Sequence, residues 1–267
     1  MRIAFIGGGN MGEAMIRGLL DRGTAEAKDI RVSDVSGARR SHLVQKYGVS
    51  ATDSNSSAIE RADVIILAVK PVSLPKVMEE LKGSLKPGQT VISIAAGVTL
   101  GRLCDGLARR SVIRAMPNTP AQIGEGMTVW TATGEANEKD KQRARLVLET
   151  LGKQVFVADE RYVDMATAVS GSGPAYVFLI IESFIDAAVR IGLPRDLAGE
   201  LVLETVLGSA HLVQKSERHP AELRNLVTSP GGTTAEGLHV MEEGSLRALL
   251  GRAIIAAYER AKAMRGE

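Results

Sequence analysis

Phe5-Ile6-Gly7-Gly8-Gly9-Asn10-Met11-Gly12 decides the reading of the first half of the chain. The short apolar run Arg2–Ile6 ends in this stretch, and an amphipathic segment reaching to Gly23 starts from it, which is the context of a strand, a turn and a helix. Gly7, Gly9 and Gly12 fit the spacing G-x-G-x-x-G. The first glycine permits a tight turn, the second lets backbone amides approach a pyrophosphate, and the third lets the helix pack on the strand. The N-terminus of the helix adds partial positive charge where the anion would lie. A glycine-rich turn without a ligand is the plainer alternative; the strand before it and the helix after it favour dinucleotide binding.

Outward from this turn, strand-like and helix-like segments alternate. Ile30–Ser33 reads as a second strand and Ala38–Tyr47 as a helix ending at Gly48. Asp63–Val69 is a continuous apolar run, the mark of a strand buried on both faces. Thr90–Ile94, Ser111–Met116 and Met127–Thr131 repeat the strand pattern, and Glu138–Leu151 reads as a helix. This alternation predicts an α/β fold with a mostly parallel, doubly wound sheet of Rossmann type. Beyond Asp159 no strand pattern is found. Tyr162–Val169, Pro174–Ile191, Arg195–Lys215, Pro220–Val227, Thr233–Glu243 and Ser245–Arg265 carry helical periodicity. The boundary falls between Val157 and Arg161, giving a dinucleotide-binding domain over 1–159 and an all-helical domain over 160–267. Ala175–Ile181 and Ala253–Ala257 are apolar or small around most of the helix, so part of this surface is expected to be buried by a second subunit.

Composition excludes several classes. The 267 residues are 45% apolar and 24% charged, with a net charge of +2 and nine aromatic residues (four Phe, four Tyr, one Trp). Neither a basic stripe nor aromatic stacking platforms are visible, so no nucleic-acid partner is expected. The strongly apolar runs Val64–Val69 and Ala175–Ile181 fall far short of the roughly 20 residues of a membrane span. No signal peptide and no membrane are expected, and a lone Cys104 fits a cytoplasmic, reducing compartment. The four histidines show no ligand spacing with that cysteine, so no metal is expected.

Further candidates lie where strands end. Val32-Ser33-Asp34 closes the second strand, with Asp34 22 positions beyond Gly12, where an acid accepts from a ribose 2′-hydroxyl and disfavours a 2′-phosphate. Ser33, Ser36, Arg39 and Arg40 beside it are suited to holding that phosphate, with Arg39 and Arg40 as plain solvated helix charges the equal alternative, so NAD(H) and NADP(H) both stay open. Ala68-Val69-Lys70-Pro71 and Ile94-Ala95-Ala96-Gly97 follow two neighbouring strands, and their small residues allow close approach to a nicotinamide ribose; plain loops would look alike. In the helical half, Ser229-Pro230-Gly231-Gly232-Thr233-Thr234 precedes a helix. Free amides, hydroxyls and a helix N-terminus make an anion site there, with simple capping by a threonine as the competing explanation. Ser170-Gly171-Ser172-Gly173-Pro174 reads as a second flexible entry into a helix, open to the same two explanations, anion site or simple capping.

One absence is informative. No lysine occurs between Lys153 and Lys215 and no histidine between His42 and His211, so the helix expected to face the nicotinamide offers no base. Alcohol oxidation by hydride transfer generally needs one, often Lys or His, and a hydroxyacid or phosphogluconate-type dehydrogenase of this architecture would carry a catalytic lysine there. A cyclic imine protonated to an iminium carries its own activating proton.

The segments Phe5–Gly12, Ala68–Pro71, Met116-Pro117-Asn118-Thr119-Pro120, Ser170–Pro174 and Pro220–Glu242, in this order and spacing, resemble pyrroline-5-carboxylate reductase. The last stretch is the most specific, with Leu223, Val227, Ser229–Thr234, Leu238 and Met241-Glu242. The resemblance implies NAD(P)H-dependent reduction of 1-pyrroline-5-carboxylate to L-proline, the final step of proline biosynthesis. It also implies homodimers with interleaved helical domains, often assembled into decamers. Under it, Gly8, Asn10 and Met11 contact the pyrophosphate, Asn55 lies near the adenosine ribose, and Val69, Lys70 and Ala96 line the nicotinamide side. Gly232, Thr233 and Thr234 hold the substrate with Glu217 nearby, Thr234 being the catalytic contact. Where Asp34 stands many members carry serine or another uncharged residue, in keeping with the family's usual NADPH preference, so Asp34 is a departure that favours greater use of NADH here.

Overall fold

The chain is described from a computed structural model covering residues 1–265. Its first part forms β1 (Ile3–Ile6), β2 (Ile30–Ser33), β3 (Ser50–Thr52), β4 (Val64–Leu67), β5 (Thr90–Ser93), β6 (Ile113–Met116), β7 (Gly126–Ala132) and β8 (Gly152–Phe156). These strands make one sheet in the order β3-β2-β1-β4-β5-β6-β7-β8. The first six strands are mutually parallel; β7 runs antiparallel to β6, and β8 runs parallel to β7. Helices α1 (Asn10–Asp21), α2 (Gly37–Tyr47), α3 (Asn55–Ile59), α4 (Leu74–Leu81), α5 (Leu100–Leu107) and α6 (Glu138–Glu149) connect them. The remainder is helical: α7 (Arg161–Ala166), α8 (Gly173–Arg190), α9 (Arg195–Ser216), α10 (Pro220–Leu226), α11 (Thr233–Glu243) and α12 (Leu246–Arg265).

The continuous apolar strands follow from helices on both faces. Successive side chains of a strand point to opposite sides. Ile3, Phe5, Val64 and Ile66 therefore enter a core shared with Met15, Ile16 and Leu19 of α1, Leu43 of α2 and Leu148 of α6. Ala4, Ile6, Ile65 and Leu67 enter a second core with Ile59, Leu74, Met78, Leu81 and Leu103. The expected doubly wound sheet is present. The two edge strands β3 and β8 were not expected, for a physical reason. Each has a single neighbour and stands half in solvent, so Ser50–Thr52 and Gly152-Lys153-Gln154-Val155-Phe156 lack the apolar run of a buried strand. Beside β8, Trp130 is fully buried, donates its indole N–H to Gln154 and meets Phe156 edge to face at 4.8 Å.

The chain divides into two compact units, 1–172 with 257–267, and 173–256. This places Arg161–Ser172 with the sheet, beyond the expected boundary at 159/160. A buried ionic cluster accounts for it: Arg114 on β6, 2% exposed, donates to Glu160 (2.7 Å) and to Asp164 of α7 (2.6 Å), and Arg265 closes on the other oxygen of Asp164 (2.6 Å).

Ser170–Pro174 is not the separate approach to a helix that its glycines suggested. Thr167–Gly171 forms a π-helical turn closed by Ser172 N–H to Thr167 O (2.8 Å), and helix runs from Arg161 to Arg190. The Thr167 and Ser170 hydroxyls donate back to the carbonyls of Val163 and Ala166, and the Ser170 carbonyl, left open by the missing N–H of Pro174, accepts from Asn118 (3.0 Å). By length and composition this is the one helix among the described residues that could cross a membrane. Its first part is packed against the sheet, with Val163, Asp164 and Ala168 buried.

Replacing Arg114 with Met leaves two carboxylates at the cluster with Arg265 alone, and should cost about 3 kcal/mol of stability. Urea unfolding of the variant followed by circular dichroism checks this value; an unchanged midpoint contradicts the assigned role of the cluster.

Candidate functional site

The carboxyl ends of β2, β1, β4 and β5 lie side by side, and the strand order reverses direction between β1 and β4. In open parallel sheets that reversal opens the crevice where ligands bind. The loops gathered there are Gly7–Gly12, Ser33–Asp34, Ala68–Pro71 and Ala95–Gly97.

Gly7 has φ +98°, and a Cβ on it would stand 2.8 Å from the carbonyl oxygen of Ala68 and 2.9 Å from Val69. Gly12 faces the Gly7 carbonyl, where a Cβ would fall at 2.7 Å. These two glycines are demanded by the protein itself. Gly9 is different: nothing lies within 4 Å of a Cβ there. It precedes α1 with no side-chain cap, and no hydrogen bond of the described residues uses the amides of Gly9, Asn10 or Met11. An uncapped helix N-terminus fronted by open space is what a pyrophosphate requires, so the loop fits a dinucleotide.

At the end of β2 Asp34 is tightly held. One carboxylate oxygen accepts from Gly8 N–H (2.8 Å) and the other from Ser36 N–H (2.8 Å). Ser33 donates to the Asn55 side-chain carbonyl (2.6 Å), and Asn55 donates to Glu80 (2.6 Å), so this amide at the start of α3 is fixed from both sides. Arg40 donates to the carbonyls of Asp34 (2.7 Å) and Val35 (3.3 Å). Arg39 lies over the glycine loop, donating to Gly8 O, Gly9 O and Glu13. Neither arginine is the solvated helix charge of the plainer sequence reading.

Glu13, in the first turn of α1, escaped the sequence reading. Burial pushes its carboxyl up, but hydrogen bonds from Lys46, Tyr47, His42 and Arg39 outweigh burial and hold it well below the usual carboxylate range. The signal was present in α2: Arg39, His42 and Lys46 recur at helical spacing and present one face to one acid.

On the other side of Gly7, Ala68 N–H donates to Ile6 O (2.8 Å), Lys70 is exposed ahead of a 3-10 turn at Pro71–Ser73, and Ala95 is buried with Ala96 half-buried. The structure thus brings together Gly7–Gly12, Ser33, Asp34, Asn55, Ala68–Pro71, Ala95 and Ala96 at one edge of one sheet.

The second unit holds the other candidates. Gly232, not a threonine, precedes α11, and no side chain caps the helix. Gly231 has φ +67°, and a Cβ on Gly232 would fall 2.5 Å from the Ser229 hydroxyl, so the turn needs both glycines. The Thr233 and Thr234 amides and hydroxyls make no hydrogen bond among the described residues, which removes the capping explanation. Glu217 is exposed at the end of α9 with a left-handed backbone (φ +56°), and no hydrogen bond joins it to Thr233 or Thr234.

Two family descriptions match the chain. Residues 2–97 match "NADP oxidoreductase coenzyme F420-dependent", and residues 160–264 match "Pyrroline-5-carboxylate reductase dimerisation". Pyrroline-5-carboxylate reductase of Synechocystis is 42% identical, over 98% of this chain and 97% of its own. This chain belongs to the pyrroline-5-carboxylate reductase family. Solved structures agree: the Coxiella burnetii reductase is 38% identical with a TM-score of 0.90 (98% of each chain covered), and the Plasmodium falciparum reductase, solved with NADP bound, is 33% identical with a TM-score of 0.91 (99% of this chain, 98% of that one). As a pyrroline-5-carboxylate reductase family member the protein is an oxidoreductase that carries the family's dimerisation segment. In that segment α8 buries none of its 18 residues, and Phe178, Leu179, Leu207 and Ile255 are 51–62% exposed. Apolar surface so extensive is suited to burial between copies.

Gly9→Ala should leave the melting temperature near that of the parent, since its Cβ enters open space, while weakening cofactor binding roughly tenfold or more by intruding on the pyrophosphate. Gly7→Ala should damage both. Calorimetric melting and a dinucleotide titration on each variant separate these outcomes, and equal binding by Gly9→Ala would contradict the site.

Proposed function

We propose that this protein catalyses NAD(P)H-dependent reduction of 1-pyrroline-5-carboxylate to L-proline, the final step of proline biosynthesis, as a cytoplasmic homodimer with interleaved helices and with neither membrane nor nucleic acid as partner. Residues 1–159 serve as the dinucleotide-binding domain and 160–267 as the substrate-binding and dimerisation domain. The observation that carries this reading is the uncapped Gly232–Thr234 turn, whose free amides and hydroxyls suit a small carboxylate, in a chain that also holds an open glycine-rich loop. Family membership supports it.

In this reading the cofactor lies along Gly7–Gly12, Ser33, Asp34, Asn55, Ala68, Val69, Lys70, Pro71, Ala95 and Ala96. When bound, the reduced nicotinamide supplies the hydride that the C=N carbon receives. The protein's task is alignment. Thr233 and Thr234 N–H groups and hydroxyls fix the substrate carboxylate and ring, Gly232 gives them room, and Glu217 stands nearby. Holding the acceptor carbon at near-attack distance accounts for much of the rate. No protein base is needed, because the protonated imine becomes a neutral amine on reduction; the stretch 154–214, with no lysine, is compatible with that chemistry.

Asp34 tilts the balance toward NADH. Its carboxylate is pinned by Gly8 and Ser36 where a 2′-phosphate would add negative charge, and Arg39 and Arg40 are already engaged.

Purified protein should oxidise NADH and NADPH on addition of 1-pyrroline-5-carboxylate, read at the reduced-nicotinamide absorbance. Thr234→Ala should lower kcat/KM by about 1–3 kcal/mol of transition-state stabilisation, the cost of one hydrogen bond to a charged group. An unchanged value removes Thr234 from the site. Asp34→Ser should shift the kcat/KM ratio toward NADPH by roughly tenfold; a ratio that does not move refutes the role given to Asp34.

A further inference from the structure

The loop after β5 is held from two directions by one buried cluster. Gly97 is buried with φ +72°, and a Cβ on it would stand 2.8 Å from Met264 Cβ and 3.2 Å from Met264 Cε, so the last turn of α12 lies directly on the loop backbone. The next residue, Arg265, is 15% exposed and pairs with Asp164, which is 2% exposed and also held by Arg114. Three residues beyond Gly97, Leu100 N–H donates to Glu160 (2.8 Å), through the oxygen that also accepts from Arg114 (2.7 Å). Gly97 by way of Met264 and Arg265, and Leu100 by way of Glu160, thus both trace back to Arg114. Between β5 and these two anchors lie Ala95 and Ala96.

We infer that Met264 is a positioning residue for the nicotinamide end of the cofactor, with Arg265 as the anchor that keeps the last turn of α12 pressed on the Ala95–Gly97 loop. The inference rests on the assignment of Ala95 and Ala96 to the nicotinamide side. Met264 meets Gly97, and Arg265 meets Asp164. They act through the backbone of Gly97, and a loop displaced by a fraction of an ångström costs binding and rate out of proportion to the movement.

The test uses Met264→Gly, Arg265→Met and Gly97→Ala in the full-length protein, titrated with NADPH, NADH and ADP-ribose and assayed with 1-pyrroline-5-carboxylate. Met264→Gly and Arg265→Met should each raise Kd and KM for the reduced dinucleotides roughly tenfold, leave KM for the imine within about twofold, and leave ADP-ribose affinity unmoved, since that ligand lacks the nicotinamide. Arg265→Lys should restore part of the loss. Gly97→Ala alone should bind poorly, and adding Met264→Gly should recover some affinity by removing the Cβ it strikes, a non-additive result that general destabilisation does not give. Unchanged dinucleotide affinity in folded Met264→Gly overturns the inference, as does an equal loss for ADP-ribose or simple additivity with Gly97→Ala. If Arg265→Met does not fold, Met264→Gly, which keeps the ion pair, decides alone. A parent protein that binds dinucleotide but fails to reduce the imine overturns the proposed reaction and leaves this inference to be settled by the titrations.

Discussion

Everything at the carboxyl edge of the sheet depends on the contact between Gly7 and Ala68. β1 and β4 are neighbours in register, and the chain leaving β1 must turn at Gly7 toward α1 without striking the Ala68 carbonyl just past β4. Only a residue without a side chain and with positive φ makes that turn. Once made, it aims the N-terminus of α1 into the crevice, places Gly8 N–H on Asp34 and sets Gly9 facing open space. The second core locks the same geometry from behind, since Ile6 and Leu67, the last residues of β1 and β4, are buried in it together.

The two cradles use one physical device. In each, glycines bend the chain sharply ahead of a helix, no side chain caps the first turn, and the amides there are left without a partner among the described residues. The difference lies in what surrounds them. The first has Arg39 over it, paired with a Glu13 that Lys46 and the neutral Tyr47 also hold, so fixed charge stands beside the loop. The second offers two threonine hydroxyls and no fixed charge of its own within the turn, a gentler setting for a small carboxylate.

Residues whose role is set by local chemistry were legible in the sequence. Gly7 and Gly12 follow from turn and packing rules, and the apolar runs of β1 and β4 declare burial on both faces. Residues whose role is set by distant partners were not. Glu13 looks like an ordinary first-turn acid until α2 brings four donors to it, and Arg114 looks like an exception in a strand until Glu160, Asp164 and Arg265 arrive from 46 to 151 positions later in the chain. Edge strands β3 and β8 escaped because half-exposed strands have no apolar signature. Thr233 and Thr234 sat between two meanings that the sequence could not separate. The structure removes capping, because Gly232 occupies the position a capping threonine would have taken.

Trp130 is the only tryptophan in the chain, and it is sealed beneath β8 against Phe156 and Gln154. Its emission therefore belongs wholly to the sheet-bearing unit, whereas far-ultraviolet ellipticity comes from helices that the two units hold in about equal measure, the second unit supplying its share from under a third of the chain. The protein thus carries one optical label confined to the sheet-bearing unit and a second spread over both units. Any condition that loosens the helices while sparing the sheet will part the two signals, and a single cooperative loss of structure will hold them together.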